Sequence, residues 1–252
     1  MQIVGYETRA GERTPALVLA ADGTVDRVAL TAGTNLDLGL GDRHCAGAVE
    51  GDSHEACDAP AAPYCERHVD TWPCARCTGD CAMPLETCHE EHVVYLAAFA
   101  PDTFKVGVTR TWRLQTRLEE QGADLAAHIR TVENGRKARA IESALAADIG
   151  DRVRTPQKLP SLVRSVDRDA WNTLLDDHEP IETFAFEYGL ALDRQPVQET
   201  LARGEVRGTK GRILVLDRRG TTYAVDMRDL VGHEVTEADR GGDRQSSLGA
   251  YE

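Results

Sequence analysis

The chain has 252 residues and a mass of 27.5 kDa, which is enough for one large domain or for two to three small domains with cores of their own. Its 42 acidic residues outnumber 29 basic ones and give a formal net charge of −13. No apolar stretch reaches the roughly 18 residues that a membrane helix needs, so the composition excludes a helical membrane protein.

The first segment, residues 1–40, is predicted to be a β-hairpin unit, because residues 2–38 alternate like strands around an Asp-Gly turn signal. Its order of features, Val-Gly, Leu-Val-Leu, Asp, Gly-Thr, Val and Gly, returns in residues 201–236. We therefore expect an internal repeat whose two copies pack into one small, barrel-like β-lobe and bring the termini close. Two ordinary, unrelated hairpins with glycine turns are the alternative.

The seven cysteines all fall within residues 45–88. Together with His68 they provide eight candidate ligands, the number that two tetrahedral zinc sites need. The spacings Cys65-x-x-His68 and Cys74-x-x-Cys77 allow two neighbouring side chains to reach one ion. The predicted zinc ligands are Cys45, Cys57, Cys65, His68, Cys74, Cys77, Cys81 and Cys88.

Residues 41–91 are therefore interpreted as a structural zinc module. Disulfides are the alternative, but an odd number of cysteines leaves one thiol unpaired, and the N-terminus lacks a charged-then-apolar secretory leader, so we expect a cytoplasmic protein with reduced thiols. Sequential and crossed pairings of the eight ligands both remain open. Four further histidines could also substitute as ligands: His44, His54, His89 and His92.

Residues 92–200 are predicted to form an α+β core with a helical extension. The pattern predicts strands at 92–99 and 104–109 that pair as a hairpin, a helix at 110–121, a short helix or strand at 124–132, and helices at 136–150 and 167–175. Residues 182–188 alternate like a strand. The tail at 237–252 has too few apolar residues to order itself.

Glu142 is an unusual residue of the predicted helix 136–150, because it falls on the apolar face with Ala138, Ile141, Leu145 and Ile149. A lone carboxylate on an apolar face costs free energy unless it is paired or binds a metal ion. Glu142 is therefore predicted to be either a buried partner of an arginine or a metal ligand.

Positive charge is concentrated in residues 104–154, which hold ten basic and seven acidic side chains and leave the rest of the chain at −16. Such a basic segment in an acidic chain is typical of a surface where a polyanion docks. The alternative is that arginines such as Arg113 and Arg117 pair with their helix neighbour Glu120. The candidate nucleic-acid contacts are Lys105, Arg113, Arg136, Lys137 and Arg139.

Val-Val-Tyr at 93–95, Lys-Val-Gly at 105–107, the following arginine-bearing helix and Glu142 together resemble the GIY-YIG nuclease superfamily. The resemblance implies a small antiparallel sheet with flanking helices and phosphodiester cleavage with one divalent ion, Mg²⁺ or Mn²⁺. It implies that Tyr95 lies near the attacking water, that Arg117 or Arg110 contacts the scissile phosphate, and that Glu142 binds the ion. The chain departs from the family pattern at two positions, with Val93 in place of the first glycine and Lys105 in place of the second tyrosine.

Residues 40–235 are also similar to an archaeal and bacterial family of unassigned function, described as a GIY-YIG-like core with zinc-binding cysteines. The similarity rests on the cysteine run leading into HVVYLA, on FKVGVTR, on RLEEQGA and on GEVRGTKGRILVLD. High acidity with few lysines is further typical of halophilic archaea. Two function classes follow: a metal-dependent endonuclease, or a non-catalytic zinc-bearing module that binds nucleic acid or a ribonucleoprotein.

Overall fold

A computed structural model describes residues 1–69 and 86–237 and confirms the α+β class. The strands are β1 (Gln2–Glu7), β2 (Ala16–Ala21), β3 (Thr24–Ala29), β4 (Asn35–Arg43), β5 (Ala48–Glu50), β6 (Ser53–Glu55), β7 (His92–Phe99), β8 (Thr103–Arg110), β9 (Leu125–Val132), β10 (Glu182–Ala185), β11 (Val197–Gln198), β12 (Ala202–Lys210), β13 (Ile213–Arg218), β14 (Thr221–Asp226) and β15 (His233–Glu237). The helices are α1 (Leu114–Gln121), α2 (Gly135–Leu145), α3 (Thr155–Lys158), α4 (Arg168–Asp176) and α5 (Met227–Leu230), with 3-10 turns at Glu86–His89, Thr111–Arg113 and Leu159–Leu162.

The N- and C-terminal segments form one β-lobe, as predicted. Its strands make an 11-stranded sheet in the order β11-β14-β13-β12-β4-β15-β1-β2-β3-β6-β5. β4 lies between β12 and β15, and β15 in turn pairs with β1, so each terminal segment completes the sheet of the other. Within the described residues the sheet has β11 and β5 at its two edges.

The predicted internal repeat is visible in the backbone of the β-lobe. β1 is irregular between Ile3 and Gly5, and β12 is irregular at the matching step between Val206 and Gly208. The hairpin turns also match, because Asp22 and Arg219 both have φ of 50° and the glycine after each has φ of 79°. Side chains from both copies pack in one shared core: Ile3, Leu17, Leu19, Leu36, Val206, Leu214, Leu216 and Val235.

The predicted hairpin of residues 92–99 and 104–109 forms the middle of a second, four-stranded sheet in the order β10-β9-β7-β8. Helix α2 packs its Ala138 on one face of this sheet, against Val94 and Leu96, while α1 packs Leu114 and Leu118 on the opposite face. Residues 125–132 are a strand, which resolves the helix-or-strand alternative. The helix expected from residue 110 begins with a 3-10 turn and becomes α-helical at Leu114, and the strand expected at 182–188 ends at Ala185.

The β-lobe and the four-stranded sheet meet at the C-terminal end of α1. Gly122 ends α1 with a left-handed φ of 70°, and its amide lies against Gly211 in the β12–β13 turn. A Cβ atom on Gly211 would come within 2.7 Å of the Gly122 nitrogen, so the contact requires a glycine there. Beside this contact the Lys210 ammonium group from β12 bonds Asp124 Oδ1 at 2.5 Å. Within residues 1–69 and 86–237, no helix is long and apolar enough to cross a bilayer.

Candidate metal centre and Tyr95 site

Cys45, Cys57, Cys65 and His68 form a compact cluster, which we call the Cys3His cluster, with ligand atoms all within 4.8 Å of one another. Cys45 follows strand β4, Cys57 follows β6, and Cys65 and His68 lie on one turn in which the His68 amide donates to the Cys65 carbonyl at 2.9 Å. The His68 Nδ1 atom is 3.3 Å from Cys45 Sγ and 3.4 Å from Cys65 Sγ, and Cys57 Sγ is 4.0 Å from Cys65 Sγ. Tetrahedral zinc with bonds of about 2.3 Å to sulfur and 2.0–2.1 Å to nitrogen has ligand separations of roughly 3.5–3.8 Å. The three distances above lie within about 0.3 Å of that range, so the four residues could bind one zinc ion after a small adjustment.

Backbone N–H groups around the cluster stabilise thiolate sulfur, the form that binds zinc. Cys45 Sγ accepts from the amides of Gly47 at 3.4 Å and Cys65 at 3.3 Å, and the Arg67 guanidinium donates to Cys57 Sγ at 3.7 Å. Burial opposes ionisation of the Cys65 thiol, but amide donors at Arg67 and His68 and the adjacent thiols outweigh it and lower its pKa to about 6. Burial raises the pKa of Cys45, so zinc itself would have to favour the ionised form of that thiol.

Neighbouring histidines support the ligand loops through the backbone. His44 Nδ1 lies 2.9 Å from the Cys57 carbonyl oxygen, and His54 Nε2 lies 2.8 Å from the Ala46 carbonyl oxygen. Gln2 donates to the Cys45 carbonyl at 3.2 Å and so connects strand β1 to the first ligand. His89 is exposed and His92 Nδ1 contacts the Glu90 carbonyl at 2.8 Å. Within the described residues, the four histidines considered as substitutes are therefore not part of the Cys3His cluster.

Of the other four predicted ligands, only Cys88 lies among the described residues, and it is not part of this cluster. Cys74, Cys77 and Cys81 lie outside the described residues, and a second zinc site stays a prediction. Cys88 lies in the 3-10 turn that packs against the N-terminus of α2 and is partly exposed. The cluster joins the first four ligands in chain order, as the sequential pairing requires.

Tyr95 and Gly107 face each other across strands β7 and β8. A Cβ atom on Gly107 would lie 2.5 Å from both Cζ and the hydroxyl oxygen of Tyr95, so the ring occupies the space that any side chain at 107 would need. The hydroxyl of Tyr95 accepts a 2.6 Å hydrogen bond from Gln121 Nε2. Tyr95 is 1% exposed, and burial raises the pKa of its phenol, against the opposing effect of Arg117.

Arg117 and Glu142 act electrostatically on both Tyr95 and Lys105, and we call these four residues the Tyr95 site. Glu142, on α2, and Arg117, on α1, both act on the Tyr95 phenol. Burial, followed by repulsion from Arg117, lowers the pKa of Lys105 to about 8, while Glu142 opposes that shift. Glu142 is 9% exposed and its Oε2 accepts from Arg139 Nη1 at 2.6 Å, which realises the first of the two predicted roles, the partner of an arginine.

Most of the predicted nucleic-acid contacts have acidic partners. Arg113 and Arg117 both bond Glu120, at 2.9 Å and 3.3 Å, which is the pairing weighed as the alternative. The remaining pairs are Arg110–Glu90 at 3.1 Å, Lys137–Glu133 at 2.8 Å and Arg139–Glu142 at 2.6 Å. Arg136 is exposed in the first turn of α2. Arg110 therefore lies at the far end of β8 with Glu90, whereas Arg117 is the predicted arginine that reaches Tyr95.

Sequence reasoning missed three residues: Gln121 and Lys158 beside the Tyr95 site, and Trp112 at the end of β8. Gln121 holds the Tyr95 hydroxyl, and Lys158 donates to the Gln121 carbonyl at 2.6 Å. Trp112 is 69% exposed between Arg110, whose guanidinium lies 4.6 Å from the ring centre, and Arg113 at 5.9 Å. Lys158 could have been noticed as one of only four lysines in the chain, but nothing in its local pattern indicates that α3 reaches the four-stranded sheet.

A family model described as protein of unknown function (DUF2797) matches residues 65–235, more than half of the chain. The matched region contains the Tyr95 site and the ligands Cys65 and His68, while Cys45 and Cys57 precede it. Comparison with curated proteins and with solved structures finds no match.

Proposed function

This chain belongs to the DUF2797 family of proteins of unknown function, and we propose that it is a zinc-stabilised protein that cleaves nucleic acid at the Tyr95 site. The observation that carries the proposal is that a phenol, two cations and a carboxylate from four separate elements, β7, β8, α1 and α2, act electrostatically on one another, with the phenol lying over Gly107. Such groups match phosphodiester cleavage, in which negative charge develops on phosphoryl oxygens. The GIY-YIG resemblance supports the same reaction.

Tyr95 is best suited to donate a hydrogen bond. Its oxygen already accepts from Gln121 at 2.6 Å, so the phenolic hydrogen is left to point towards a reacting group. Because burial raises its pKa, the phenol stays protonated at neutral pH and can donate to a phosphoryl or leaving oxygen. Arg117, with a 46% exposed side chain, supplies a fixed positive charge for the scissile phosphate.

Glu142 is the residue that would hold a divalent ion. Mg²⁺ in phosphoryl-transfer sites uses one or two carboxylates and completes its coordination with water and substrate phosphate, so a single buried glutamate fits such an ion. When bound, Mg²⁺ or Mn²⁺ would polarise a phosphoryl oxygen. Arg139 positions the carboxylate, and its guanidinium must give way at one oxygen for the ion to bind.

Trp112 supports nucleic acid as the substrate. Its indole N–H donates to Glu90 Oε2 at 3.2 Å, which holds a 69% exposed ring in one place at the end of the strand that carries Lys105 and Gly107. Exposed aromatic rings beside arginines are platforms on which unpaired bases stack. Zinc has a structural role in this proposal, with two ions bound by the eight predicted ligands.

A second candidate function is non-catalytic nucleic-acid or ribonucleoprotein binding. The specific observation in its favour is the 2.6 Å Arg139–Glu142 ion pair, which occupies the carboxylate that an ion would need. Lys105 in place of the family's tyrosine favours the same reading. In this case the basic side chains would bind the polyanion without chemistry.

The test is a cleavage and binding assay. Purified protein is incubated with labelled structured RNA, single-stranded DNA and duplex DNA, with Mg²⁺ or Mn²⁺, at low and high KCl. We expect cleavage that falls by about 100-fold or more in Glu142→Gln and by about 100-fold in Tyr95→Phe, in the range for loss of a general acid–base group. Glu133→Gln, an exposed carboxylate near α2, is the matched control and should retain full activity.

Two outcomes contradict the nuclease proposal in different ways. Binding that is equal in wild type, Glu142→Gln and Tyr95→Phe, without cleavage of any substrate, would establish the second candidate. Cleavage that survives Glu142→Gln would show that the activity belongs to another site or to a contaminating nuclease.

A further inference from the structure

Two lysines from different parts of the fold converge on the face of the four-stranded sheet that carries Tyr95. Lys105, on β8, lies opposite Ala97, whose neighbours on the same face of β7 are Tyr95 and Phe99. Lys158, at the end of α3, places its ammonium nitrogen 4.5 Å from the centre of the Phe99 ring. The two lysines are close enough that the charge of Lys105 acts on Lys158.

Within residues 1–69 and 86–237, neither ammonium group has an acidic hydrogen-bond partner. Lys158 donates to one acceptor, the Gln121 carbonyl oxygen at 2.6 Å, which leaves two N–H donors. Lys105 has no hydrogen-bond acceptor among the residues that the structure describes. Both side chains are half-buried, so water compensates them only in part.

The carboxylates nearest to these lysines are already matched by arginines. Glu142 is paired with Arg139 at 2.6 Å, and Asp226 is paired with Arg212 at 2.9 Å. Asp151 acts on Lys105 from a distance and is 53% exposed. Arg117 shares its partner Glu120 with Arg113, at 3.3 Å and 2.9 Å. Positive charge therefore remains in excess around Lys105, Lys158 and Arg117, within a chain whose net charge is −13.

This excess is reflected in the ionisation of both lysines. Burial and then repulsion by Lys105 lower the pKa of Lys158 to about 7, and burial followed by repulsion from Arg117 lowers the pKa of Lys105 to about 8. Half-buried like charges destabilise the free protein, and a bound anion would relieve that repulsion.

We propose that Lys105, Lys158 and Arg117 form a phosphate-binding subsite, in which Lys158 is a substrate-positioning residue contributed by α3. The subsite deepens the proposed function, on which it rests for the identity of the substrate, since the phosphate would belong to the nucleic-acid backbone. Three cations that act electrostatically on one another favour a phosphate dianion or two adjacent phosphates over a carboxylate. In the protein without ligand, repulsion among these three cations lowers the free energy of unfolding, a loss of stability that is common at functional sites.

The experiment is thermal unfolding of the full chain at pH 6.5, without divalent ions, over a titration of pyrophosphate. A ligand that binds only the folded state raises the Tm, so the titration reports affinity without requiring cleavage. We expect Lys158→Met and Lys105→Met each to need about tenfold more pyrophosphate for the same rise in Tm, the effect of one charge-assisted contact. Arg27→Met, which removes an exposed arginine on β3 of the β-lobe, should respond like wild type.

The Tm without anion separates this proposal from a purely structural role. If Lys158 only ties α3 to the Gln121 carbonyl, Lys158→Met should lower the Tm and leave the response to pyrophosphate unchanged, which would overturn the proposal. If the lysines form a repulsive subsite, the same variant keeps or raises the Tm and loses the response. Lys158→Arg, which keeps the charge, should retain most of the response.

Failure of the subsite and failure of the nuclease proposal give different results. Glu142→Gln should lose cleavage and keep the pyrophosphate response, because it removes no cation. A normal response with no cleavage of any substrate would support the subsite and refute the nuclease. Cleavage that is unaffected in Lys158→Met, together with an unchanged response, would refute the subsite and leave the nuclease standing.

Discussion

Gly107 is the residue on which the position of Tyr95 depends. The tyrosine ring lies directly over the glycine, and Gln121 fixes the hydroxyl at 2.6 Å. Directly opposite residues of paired strands have Cβ atoms about 5 Å apart on the same face of the sheet. Because the Tyr95 ring turns over position 107, no room is left there for a second side chain. The glycine therefore has a packing reason to be present, independent of any contact between backbone and substrate.

Gly107→Ala should move Tyr95 off Gln121 and destabilise the protein. A Cβ atom 2.5 Å from the ring forces backbone or side-chain shifts, for which overpacking costs of about 1–3 kcal/mol are typical. Urea unfolding measures the loss, and the cleavage assay should show a defect at least as large as that of Tyr95→Phe. Gly5→Ala is the control, since its Cβ atom would meet Val18 at an ordinary 3.6 Å. Equal stability of the two variants would contradict this account of Gly107.

At the scale of elements, the β-lobe is built from two copies of one strand pattern. The irregular steps at Ile3–Gly5 and Val206–Gly208 fall at matching points of β1 and β12. The Gly33 amide donates to the Val206 carbonyl at 2.8 Å, and the Gly232 amide donates to the Ile3 carbonyl, the counterpart of Val206, at the same distance. Each copy thus bonds to the other at the point where its first strand bends. The exchange of bonds explains why the two terminal segments share one core.

The segment between β4 and β7 carries the predicted zinc ligands, and we expect it to fold around metal. Cys57→Ser should lower the zinc content measured by native mass spectrometry by one ion per chain, from the proposed two to one. The Tm should fall as well, because zinc binding contributes directly to the folding free energy of such loops. His89→Gln, an exposed histidine outside the Cys3His cluster, should keep the zinc content of wild type. Unchanged zinc in Cys57→Ser would refute the assignment of the cluster.

At the scale of the whole molecule, one buried ion pair joins the β-lobe to the four-stranded sheet. The Lys210 side chain is 4% exposed and bonds Asp124, the Ser161 carbonyl at 3.0 Å and the Ser161 hydroxyl at 2.7 Å. Asp124 also accepts from the Ala100 amide at 2.9 Å, next to the turn between β7 and β8. The pair therefore connects three segments that are distant in the chain.

Asp124→Ala should destabilise the protein by about 3–5 kcal/mol, because it leaves a buried ammonium group without its counter-charge. The matched control is Asp52→Ala, which breaks an ion pair with Arg27 at 3.0 Å in which the aspartate is 86% exposed. Exposed pairs contribute about 0–1 kcal/mol, so the control should be nearly neutral in urea unfolding. Similar losses in both variants would show that burial of the Lys210–Asp124 pair has no special effect.

The sequence by itself determined the features that depend on local pattern. Alternation predicted β7, β8 and the terminal hairpins, and ligand spacing predicted that Cys65 and His68 lie at one metal centre. The apolar stripe on α2 predicted that Glu142 would be buried with a partner. These inferences succeed because helix and strand periodicity and metal-ligand spacing are short-range properties.

Only the tertiary structure decided which distant residues meet. The exchange of β4 and β15 between the two copies, the pairing of Lys210 with Asp124, and the approach of Lys158 to Lys105 join positions that are tens to hundreds of residues apart. Charge counts gave the basic segment 104–154 but could not show that most of its arginines bond neighbouring carboxylates. Contacts of this kind depend on the packing of whole elements, which a local pattern does not encode.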